Sequence, residues 1–264
     1  MRFVPAVCLA LLASLSFAAQ ARMVQRPVEW TLDGTHFKSV LVYDDASDAK
    51  RPGLVMVPNW FGINDTAIKK AEMIAGKDYV ILLTDMYGEN VRPEPGHADQ
   101  AKAAIAPLYA NRPLMRKRIG EALAQLKAQA AKAPIDTGKL AAIGFCFGGT
   151  AVLDLARSGA DIAAVVSFHG GLATDNPTLA KNIKARVLVM NGADDKGTMP
   201  DADKFMDEMR ASSADWQFVV MGNAVHCFTE TEEHSPGCKY DPRAAARSYR
   251  LMHDWLHAAF SGTP

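Results

Sequence analysis

The sequence offers little that would favour nucleic acid, membrane, nucleotide or metal as a partner. Its 264 residues carry 29 basic and 29 acidic side chains, so no net charge attracts a polyanion. It has no Gly-Lys-Ser/Thr loop, no Gly-x-Gly-x-x-Gly at the first predicted helix, and no zinc-type spacing of His, Cys and carboxylate residues. We therefore expect a small-molecule partner, no metal and no cofactor.

Long apolar runs are also missing, apart from one near the N-terminus. There Arg2 precedes an apolar run over residues 4–17, and Ala19-Gln20-Ala21 places small residues where a signal peptidase reads them. The run is too short to span a bilayer as a stable helix. We predict a signal peptide at 1–21, a single mature domain at 22–264 with no membrane segment, and a periplasmic or secreted location.

Cysteine is scarce, with four residues and no Cys-x-x-Cys pair, which argues against a thiol redox protein. Cys8 is lost with the predicted signal peptide. Exported cysteines tend to pair, and Cys227 and Cys238 flank a polar, turn-rich segment. We expect these two to form a disulfide; the alternative is two free thiols too far apart to bridge. Cys146 is then left unpaired.

Short apolar runs alternate with segments of helical periodicity along the mature chain. This alternation predicts a mostly parallel, doubly wound α/β sheet with helices on both faces, in which active sites lie at the carboxyl ends of strands. An opening hairpin surrounds Asp33-Gly34, and residues 88–97 predict a long surface loop that is a candidate cover for the site. The predicted strands are 54–57, 79–83, 140–143, 163–168, 187–190 and 218–221, and the predicted helices are 64–76, 113–131, 148–158, 202–211 and 242–260.

One strand-to-helix junction carries a nucleophile motif. Gly144-Phe145-Cys146-Phe147-Gly148-Gly149 follows the strand at 140–143 and precedes a helix, which is the nucleophile-elbow pattern with Cys in place of Ser. The small residues on both sides of the nucleophile let two chain segments approach closely. The positive end of the helix favours the thiolate, and its free N–H groups can hold an oxyanion. The alternative is a buried structural cysteine in a tight turn.

The partners of a thiol nucleophile follow in the order this architecture requires. A base must accept the thiol proton, and a carboxylate must orient the base. Asp194 and Asp195 follow the strand at 187–190, and His226 follows the strand at 218–221. All three are expected at the edge of the sheet that carries Cys146.

Taken together, Gly-x-Cys-x-Gly-Gly, Gly-x-x-Asp and His-x-Phe resemble the dienelactone hydrolase family, within the α/β-hydrolase fold. The resemblance extends over nearly all of the mature chain. It implies Cys146 as nucleophile, His226 as general base and Asp195 as the acid, with Asp194 as the second choice. It also implies an oxyanion hole formed by the backbone N–H groups of Trp60 and Phe147.

The sequence departs from this family at two substrate-binding positions. Family members that open dienelactones have a glutamate that helps to activate the thiol where this chain has Asn59, and an arginine that binds the substrate carboxylate where it has Glu230. Without that glutamate, thiol activation is expected to depend on His226 and the helix terminus. A carboxylate at position 230 would repel an anionic substrate, so neutral esters and lactones are equally expected. Lys102 and Arg112, in the region that borders the family's site, are either anion-binding or surface residues.

Two functions remain open at this stage. One is a monomeric hydrolase that cleaves an ester or lactone; the other is a non-catalytic small-molecule binder, whose pocket Trp60, Phe145 and Phe147 would line. His169, at another strand end, either lines the pocket or hydrogen-bonds to the backbone.

Overall fold

A computed structural model describes residues 22–263, so the predicted signal peptide at 1–21 lies outside the described residues. Eight strands form the central sheet in the order β1-β2-β4-β3-β5-β6-β7-β8. The first two strands pair antiparallel with each other, β2 pairs antiparallel with β4, and all later neighbours pair parallel. The strands are β1 Met23–Leu32, β2 Thr35–Asp44, β3 Arg51–Val57, β4 Val80–Leu83, β5 Ile135–Phe145, β6 Ala164–Phe168, β7 Arg186–Gly192 and β8 Trp216–Met221.

Helices cover both faces of this sheet. They are α1 Asp65–Ala75, α2 Ala98–Ala110, α3 Arg112–Ala128, α4 Phe147–Arg157, α5 Ala202–Arg210 and α6 Pro242–Ser261. Short 3₁₀ segments lie at Gln129–Ala131, Pro177–Asn182 and Met199–Asp201, and a small hairpin pairs β9 His234–Ser235 with β10 Cys238–Lys239. Among the described residues, no helix combines the length and the apolar character needed to cross a membrane.

Alternate residues of the central strands feed two separate hydrophobic clusters. In β3, Val55 and Val57 face the cluster beneath α3 and α4, whereas Leu54 and Met56 face the cluster beneath α1 and α6. This follows from the two-residue period of a strand, and burial on both faces explains why the central strands are continuously apolar. The predicted mostly parallel α/β sheet with helices on both faces is confirmed.

Two local features differ from the sequence prediction. Helix α2 was not predicted, because it buries only Ala101 and Leu108 and contains Pro107, so its apolar periodicity is weak. Residues 88–97 form an irregular segment as expected, but none of them lines the cleft described below, so they do not cover it.

Candidate active site

Cys146 occupies the sharp turn between β5 and α4. Strand β5 ends at Phe145 and helix α4 begins at Phe147, so the cysteine alone makes the connection. Its backbone has φ 54° and ψ −116°, a conformation that non-glycine residues rarely adopt. Such strain persists only where the surrounding structure enforces it, and here it directs the side chain out of the sheet edge.

Two glycines make this turn possible by close approach. A Cβ atom on Gly144 would overlap the backbone of Gly148, and a Cβ atom on Gly148 would overlap the carbonyl oxygens of Val57 and Pro58. The start of α4 therefore lies against the end of β3. This contact brings the turn at Cys146, the predicted nucleophile, beside the loop that carries Trp60.

His226 and Asp195 lie next to Cys146 in a continuous line of contacts. The Nε2 atom of His226 is 3.1 Å from the Sγ atom of Cys146, and its Nδ1–H donates to Oδ2 of Asp195 at 2.7 Å. The three residues follow the carboxyl ends of β5, β7 and β8, which meet at one edge of the sheet. Asp194 is exposed in the wall of the cleft, and it is Asp195 that pairs with His226.

The Asp195 carboxylate is fixed by its own loop. Gly197 and Thr198 donate backbone N–H groups to Oδ1 at 2.9 and 3.2 Å, and the Thr198 hydroxyl donates to Oδ2 at 2.7 Å. Burial would raise the pKa of Asp195, but the hydrogen bond and charge of His226 and these donors outweigh burial and hold its pKa below the usual range. The carboxylate is therefore ionised and held in one orientation.

The same arrangement favours a protonated His226. Burial alone would lower the pKa of the imidazole. The negative charge of the Cys146 thiolate and the hydrogen bond to Asp195 outweigh burial and raise the pKa of His226 to about 10. At neutral pH His226 is therefore expected as an imidazolium hydrogen-bonded to the Asp195 carboxylate.

An open cleft of about 840 Å³ exposes this line of contacts to ligands. Its wall includes Phe147, Leu172 and Val225, and Tyr109 closes one side, with its hydroxyl 3.2 Å from that of Thr150. Charged side chains also reach the wall, namely those of Arg112, Asp194, Asp195, Lys196, Asp201 and His226. The cleft therefore combines an apolar lining with groups of both signs.

The two predicted oxyanion donors have no competing acceptor. Among residues 22–263, neither the Trp60 N–H nor the Phe147 N–H donates a backbone hydrogen bond outside the helices and strands. The turn that holds Trp60 is braced on either side: the Gly62 N–H donates to the Asn59 carbonyl at 2.9 Å, and the Tyr87 hydroxyl donates to the Trp60 carbonyl at 3.0 Å. In this part of the structure, no backbone carbonyl outside the helices and strands therefore occupies either amide.

Two of the predicted substrate-binding residues, Asn59 and Glu230, lie outside the cleft wall. Glu230 is 1 % exposed and does not line the cleft; it pairs with Lys70 and accepts a 2.7 Å hydrogen bond from the Asn59 side chain. Asn59 is absent from the cleft wall as well. The expectation that Glu230 repels an anionic substrate is therefore wrong, because its charge is buried and neutralised by a lysine.

Of the two candidate anion-binding residues, one lies outside the cleft and the other lines it. Lys102 is exposed on α2 and does not line the cleft, a position that agrees with the surface alternative. Arg112 does line the cleft, but its guanidinium donates to both oxygens of Asp154 at 2.7 and 2.8 Å and to the Ala173 carbonyl at 3.2 Å. The pocket suggested for a binder also differs: Phe147 lines the cleft, whereas Trp60 and Phe145 do not.

A disulfide joins Cys227 and Cys238, next to His226 in sequence. It fastens the β9–β10 hairpin to the histidine loop, and the Lys239 N–H donates to the His226 carbonyl at 2.9 Å. Pro236 and Gly237, at the tip of this hairpin, form part of the cleft wall. Cys146 is the free cysteine among the described residues.

His169 is the functional neighbour that the sequence left undecided. It is fully buried, and its Nδ1 accepts a 3.2 Å hydrogen bond from the Cys146 backbone N–H, which also donates to the Phe168 carbonyl at 3.0 Å. Full burial, together with the positive charges of His226 and Lys70, holds the pKa of His169 well below its usual range. Lys70 is a second residue without a sequence signal, since a lysine on a helix usually faces water.

Comparison with known proteins identifies the chain's relatives. The family model of the dienelactone hydrolase family matches residues 37–260. A Bradyrhizobium protein named "Probable 2-oxo-3-(5-oxofuran-2-ylidene)propanoate lactonase" is 27 % identical over 217 residues, which cover 77 % of this chain and 84 % of that protein.

Solved structures include similar proteins. A dienelactone hydrolase-like promiscuous phosphotriesterase, P91, from metagenomic libraries is 37 % identical, with a TM-score of 0.83 over 90 % of this chain and 99 % of its own. A dienelactone hydrolase from Anabaena variabilis is 19 % identical, with a TM-score of 0.66 over 90 % of this chain and 98 % of its own. At that identity, the second likeness concerns the fold alone.

Proposed function

The chain belongs to the dienelactone hydrolase family, and on that premise we propose that it hydrolyses an ester or lactone bond of a small molecule, with Cys146 as the nucleophile. One observation carries the proposal: Cys146, His226 and Asp195 form contacts of 3.1 and 2.7 Å in the wall of an open cleft. A nucleophile, a base and an orienting carboxylate in hydrogen-bond reach are what covalent acyl transfer requires.

In the first half-reaction the Cys146 thiolate attacks the carbonyl carbon, and the C=O π electrons move to the oxygen. The backbone N–H groups of Trp60 and Phe147 donate to this oxyanion; one such donor is typically worth about 3 kcal/mol. When the tetrahedral intermediate collapses, the C–O bond to the leaving alcohol breaks. The His226 imidazolium gives its Nε2 proton to the departing oxygen, and a thioester remains on Cys146.

In the second half-reaction neutral His226 removes a proton from water, and the resulting hydroxide attacks the thioester carbon. The same two N–H groups hold the second oxyanion. Its collapse breaks the C–S bond and returns the Cys146 thiolate, the protonated His226 and a carboxylic acid. Asp195 keeps the imidazole oriented through both steps, and no step uses a metal or cofactor.

The residues that line the cleft are compatible with neutral and with anionic substrates. Its apolar wall suits a small acyl group. The cleft wall also carries two basic side chains, Arg112 and Lys196, and two acidic ones, Asp194 and Asp201. Because Glu230 is paired with Lys70 outside the cleft, it does not oppose an anion. The Bradyrhizobium relative is named as a lactonase and P91 as a promiscuous phosphotriesterase, so we include lactones and phosphotriesters among the candidate substrates.

The test is a screen of the purified mature protein against matched neutral and anionic lactones, carboxylic esters and a phosphotriester, alongside alkylation of Cys146 by iodoacetamide at neutral pH. Turnover of an ester or lactone, lost on prior alkylation of Cys146, is the expected result. A ligand-binding protein without catalysis would give no turnover with any substrate and an unreactive Cys146, and this outcome would refute the proposal.

We further propose that the mature protein is an exported monomer that begins at residue 22. The signal-like segment at 1–21 and the disulfide between Cys227 and Cys238 support export, since disulfides persist in oxidising compartments. N-terminal sequencing of the protein from a periplasmic or culture fraction tests the cleavage site. Sedimentation equilibrium tests the monomer.

A further inference from the structure

A buried carboxylate lies behind the nucleophile turn at the centre of a polar network. Glu230 accepts hydrogen bonds from the Lys70 ammonium, from the Asn59 side-chain amide at 2.7 Å and from the Thr229 hydroxyl at 3.1 Å. Its side chain is 2 % exposed and that of Lys70 is 10 % exposed. A charge buried this deeply is costly unless it is paired, and the lysine supplies the pairing.

One branch of this network reaches the turn that carries the first oxyanion donor. The side chain of Asn59 donates through Nδ2 to Glu230 and accepts through Oδ1 from the Phe61 N–H at 3.0 Å. The Asn59 carbonyl also accepts from the Gly62 N–H. The C=O and N–H of a trans peptide point in opposite directions, so fixing the Asn59 carbonyl fixes the direction of the Trp60 N–H.

The other branch reaches the nucleophile turn. Neutral His169 accepts at Nδ1 from the Cys146 N–H, so its proton lies on Nε2 and donates to the Thr229 hydroxyl oxygen at 2.8 Å. The Thr229 hydroxyl in turn donates to Glu230. The donor and acceptor roles along this branch are therefore all determined. This branch ends on the Cys146 N–H, which also donates to the Phe168 carbonyl at 3.0 Å, so His169 is a second acceptor that restrains the peptide entering Cys146. The next N–H along the chain belongs to Phe147.

We infer that Glu230, neutralised by Lys70, is a positioning residue that holds both N–H donors of the oxyanion hole. It acts on the Trp60 N–H through Asn59 and on the Phe147 N–H through Thr229 and His169. The inference rests on the proposed hydrolase function. Lys70 contributes a further restraint, because its ammonium lies 4.4 Å from the ring centroid of Phe145, the residue before the nucleophile.

The network accounts for asparagine at position 59. An amide can donate to a carboxylate and accept from an N–H at the same time. A carboxylate there would only accept, and it would place a second negative charge beside Glu230. The pair Asn59 and Glu230 is thus complementary, and neither residue needs to touch the substrate.

The experiment compares ester turnover with alkylation in three variants, Asn59→Asp, Thr229→Val and Glu230→Gln. Alkylation by iodoacetamide displaces iodide from a tetrahedral carbon and forms no oxyanion, so it reports on the thiolate alone. Misplaced donors are expected to lower kcat for a neutral ester about 10- to 100-fold. KM and the alkylation rate of Cys146 are expected to stay within about twofold. Lys70→Met should behave like Glu230→Gln, whereas Lys69→Met, on the exposed neighbouring lysine, should match the unaltered protein.

Each other outcome overturns the inference. Folded variants with unchanged kcat would show that the network does not position the N–H donors of the oxyanion hole. An equal fall in kcat and alkylation rate would assign the network to thiol activation, and a rise in KM alone would assign it to substrate binding. If Glu230→Gln does not fold, the double variant Lys70→Met/Glu230→Gln removes both charges together and carries the same expectation.

A second readout separates this inference from the proposed function. Benzaldehyde adds to a reactive thiolate to give a hemithioacetal, whose oxygen occupies the same hole without any turnover. If the unaltered protein hydrolyses no ester, the hydrolase proposal fails, and the aldehyde affinity still tests the network. The variants should then weaken aldehyde binding about 10- to 100-fold. Equal affinity in folded variants and unaltered protein would refute the inference alone.

Discussion

His226 and Cys146 lie 80 residues apart in the chain, yet Nε2 of the imidazole is 3.1 Å from Sγ of the thiol. The contact exists because β5 and β8 both end at the same edge of the sheet, and Asp195, after β7, supports the imidazole from behind. The hydrolase account depends on this contact. It is short enough for direct proton transfer between the two groups.

Removing either member of this pair should abolish catalysis without unfolding the protein. Cys146→Ala and His226→Ala are each expected to lower kcat/KM for an ester by at least about 1,000-fold, since residues that act as a unit fail together. His97→Ala is the matched control, because His97 is an exposed loop residue whose side chain caps no helix. Circular dichroism verifies the fold, and substantial turnover by the cysteine variant would exclude Cys146 as the nucleophile.

Asp195→Asn should shift the alkaline side of the pH profile. The raised pKa of His226, about 10, keeps the imidazole protonated through neutral pH and lets it lose the proton as the pH rises through about 10. An ethyl ester needs this proton on its leaving group, so its kcat/KM should fall above that pH. Removing the Asp195 charge lowers the pKa of His226, and the fall should begin at lower pH. A p-nitrophenyl ester, whose leaving group needs no proton, should show a weaker fall.

The matching effect on stability has a definite sign. A pKa raised on folding stabilises the protein fully below the ordinary histidine value of 6.5, and this contribution disappears as the pH rises through about 10. The Asp195→Asn protein should therefore lose less stability than the unaltered protein between neutral pH and pH 10. The role assigned to Asp195 would be contradicted if the substitution changed neither the alkaline fall in kcat/KM nor the pH dependence of stability.

The close approach at the nucleophile turn predicts a strong glycine effect. Gly148→Ala places a methyl group against the Val57 and Pro58 carbonyl oxygens, so it should cost more than about 3 kcal/mol of unfolding free energy and abolish activity. Gly120→Ala is the control, because a Cβ atom there meets nothing within 4 Å in the middle of α3. It should stabilise by about 0.5–1 kcal/mol. Urea unfolding measures both, and similar values for the two would contradict the packing described.

The disulfide should stabilise both the fold and the cleft. Opening it in the double variant Cys227→Ser/Cys238→Ser frees a loop with a sequence separation of 11, which should cost about 2–3 kcal/mol. Activity should fall as well, because the bond fastens the hairpin that carries Pro236 and Gly237 to the loop of His226. Urea unfolding of the oxidised protein, the reduced protein and the double variant should separate the first from the other two. An oxidised protein no more stable than the reduced one would refute this.

Local sequence patterns were sufficient for the architecture. The predicted strand at 54–57 lies within β3, and the predicted helix at 64–76 is α1, which the Asn64 side chain caps by accepting from the Ala67 N–H. Continuous apolar runs reveal buried parallel strands, and capping residues reveal helix starts, because both effects act over a few residues. Helix α2 was missed since it packs few apolar side chains.

Hydrogen bonds between residues far apart in the chain could not be predicted from the sequence. The family position of Glu230 suggested that its carboxylate faces the substrate and repels an anion, but its partners Lys70 and Asn59 are 160 and 171 residues away. Which polar groups become buried together depends on the assembled sheet and helices. The same reason explains why the role of His169 could not be decided until the position of the Cys146 N–H was known.

The most direct test of the account is to identify the residue that carries the acyl group. The protein is mixed with a p-nitrophenyl ester, quenched in acid during turnover, digested and analysed by mass spectrometry. We predict an acyl group on Cys146, as a thioester that hydroxylamine removes, and none in the Cys146→Ala protein. Steady ester hydrolysis with no acyl group on Cys146, or with the acyl group on another residue, would contradict it.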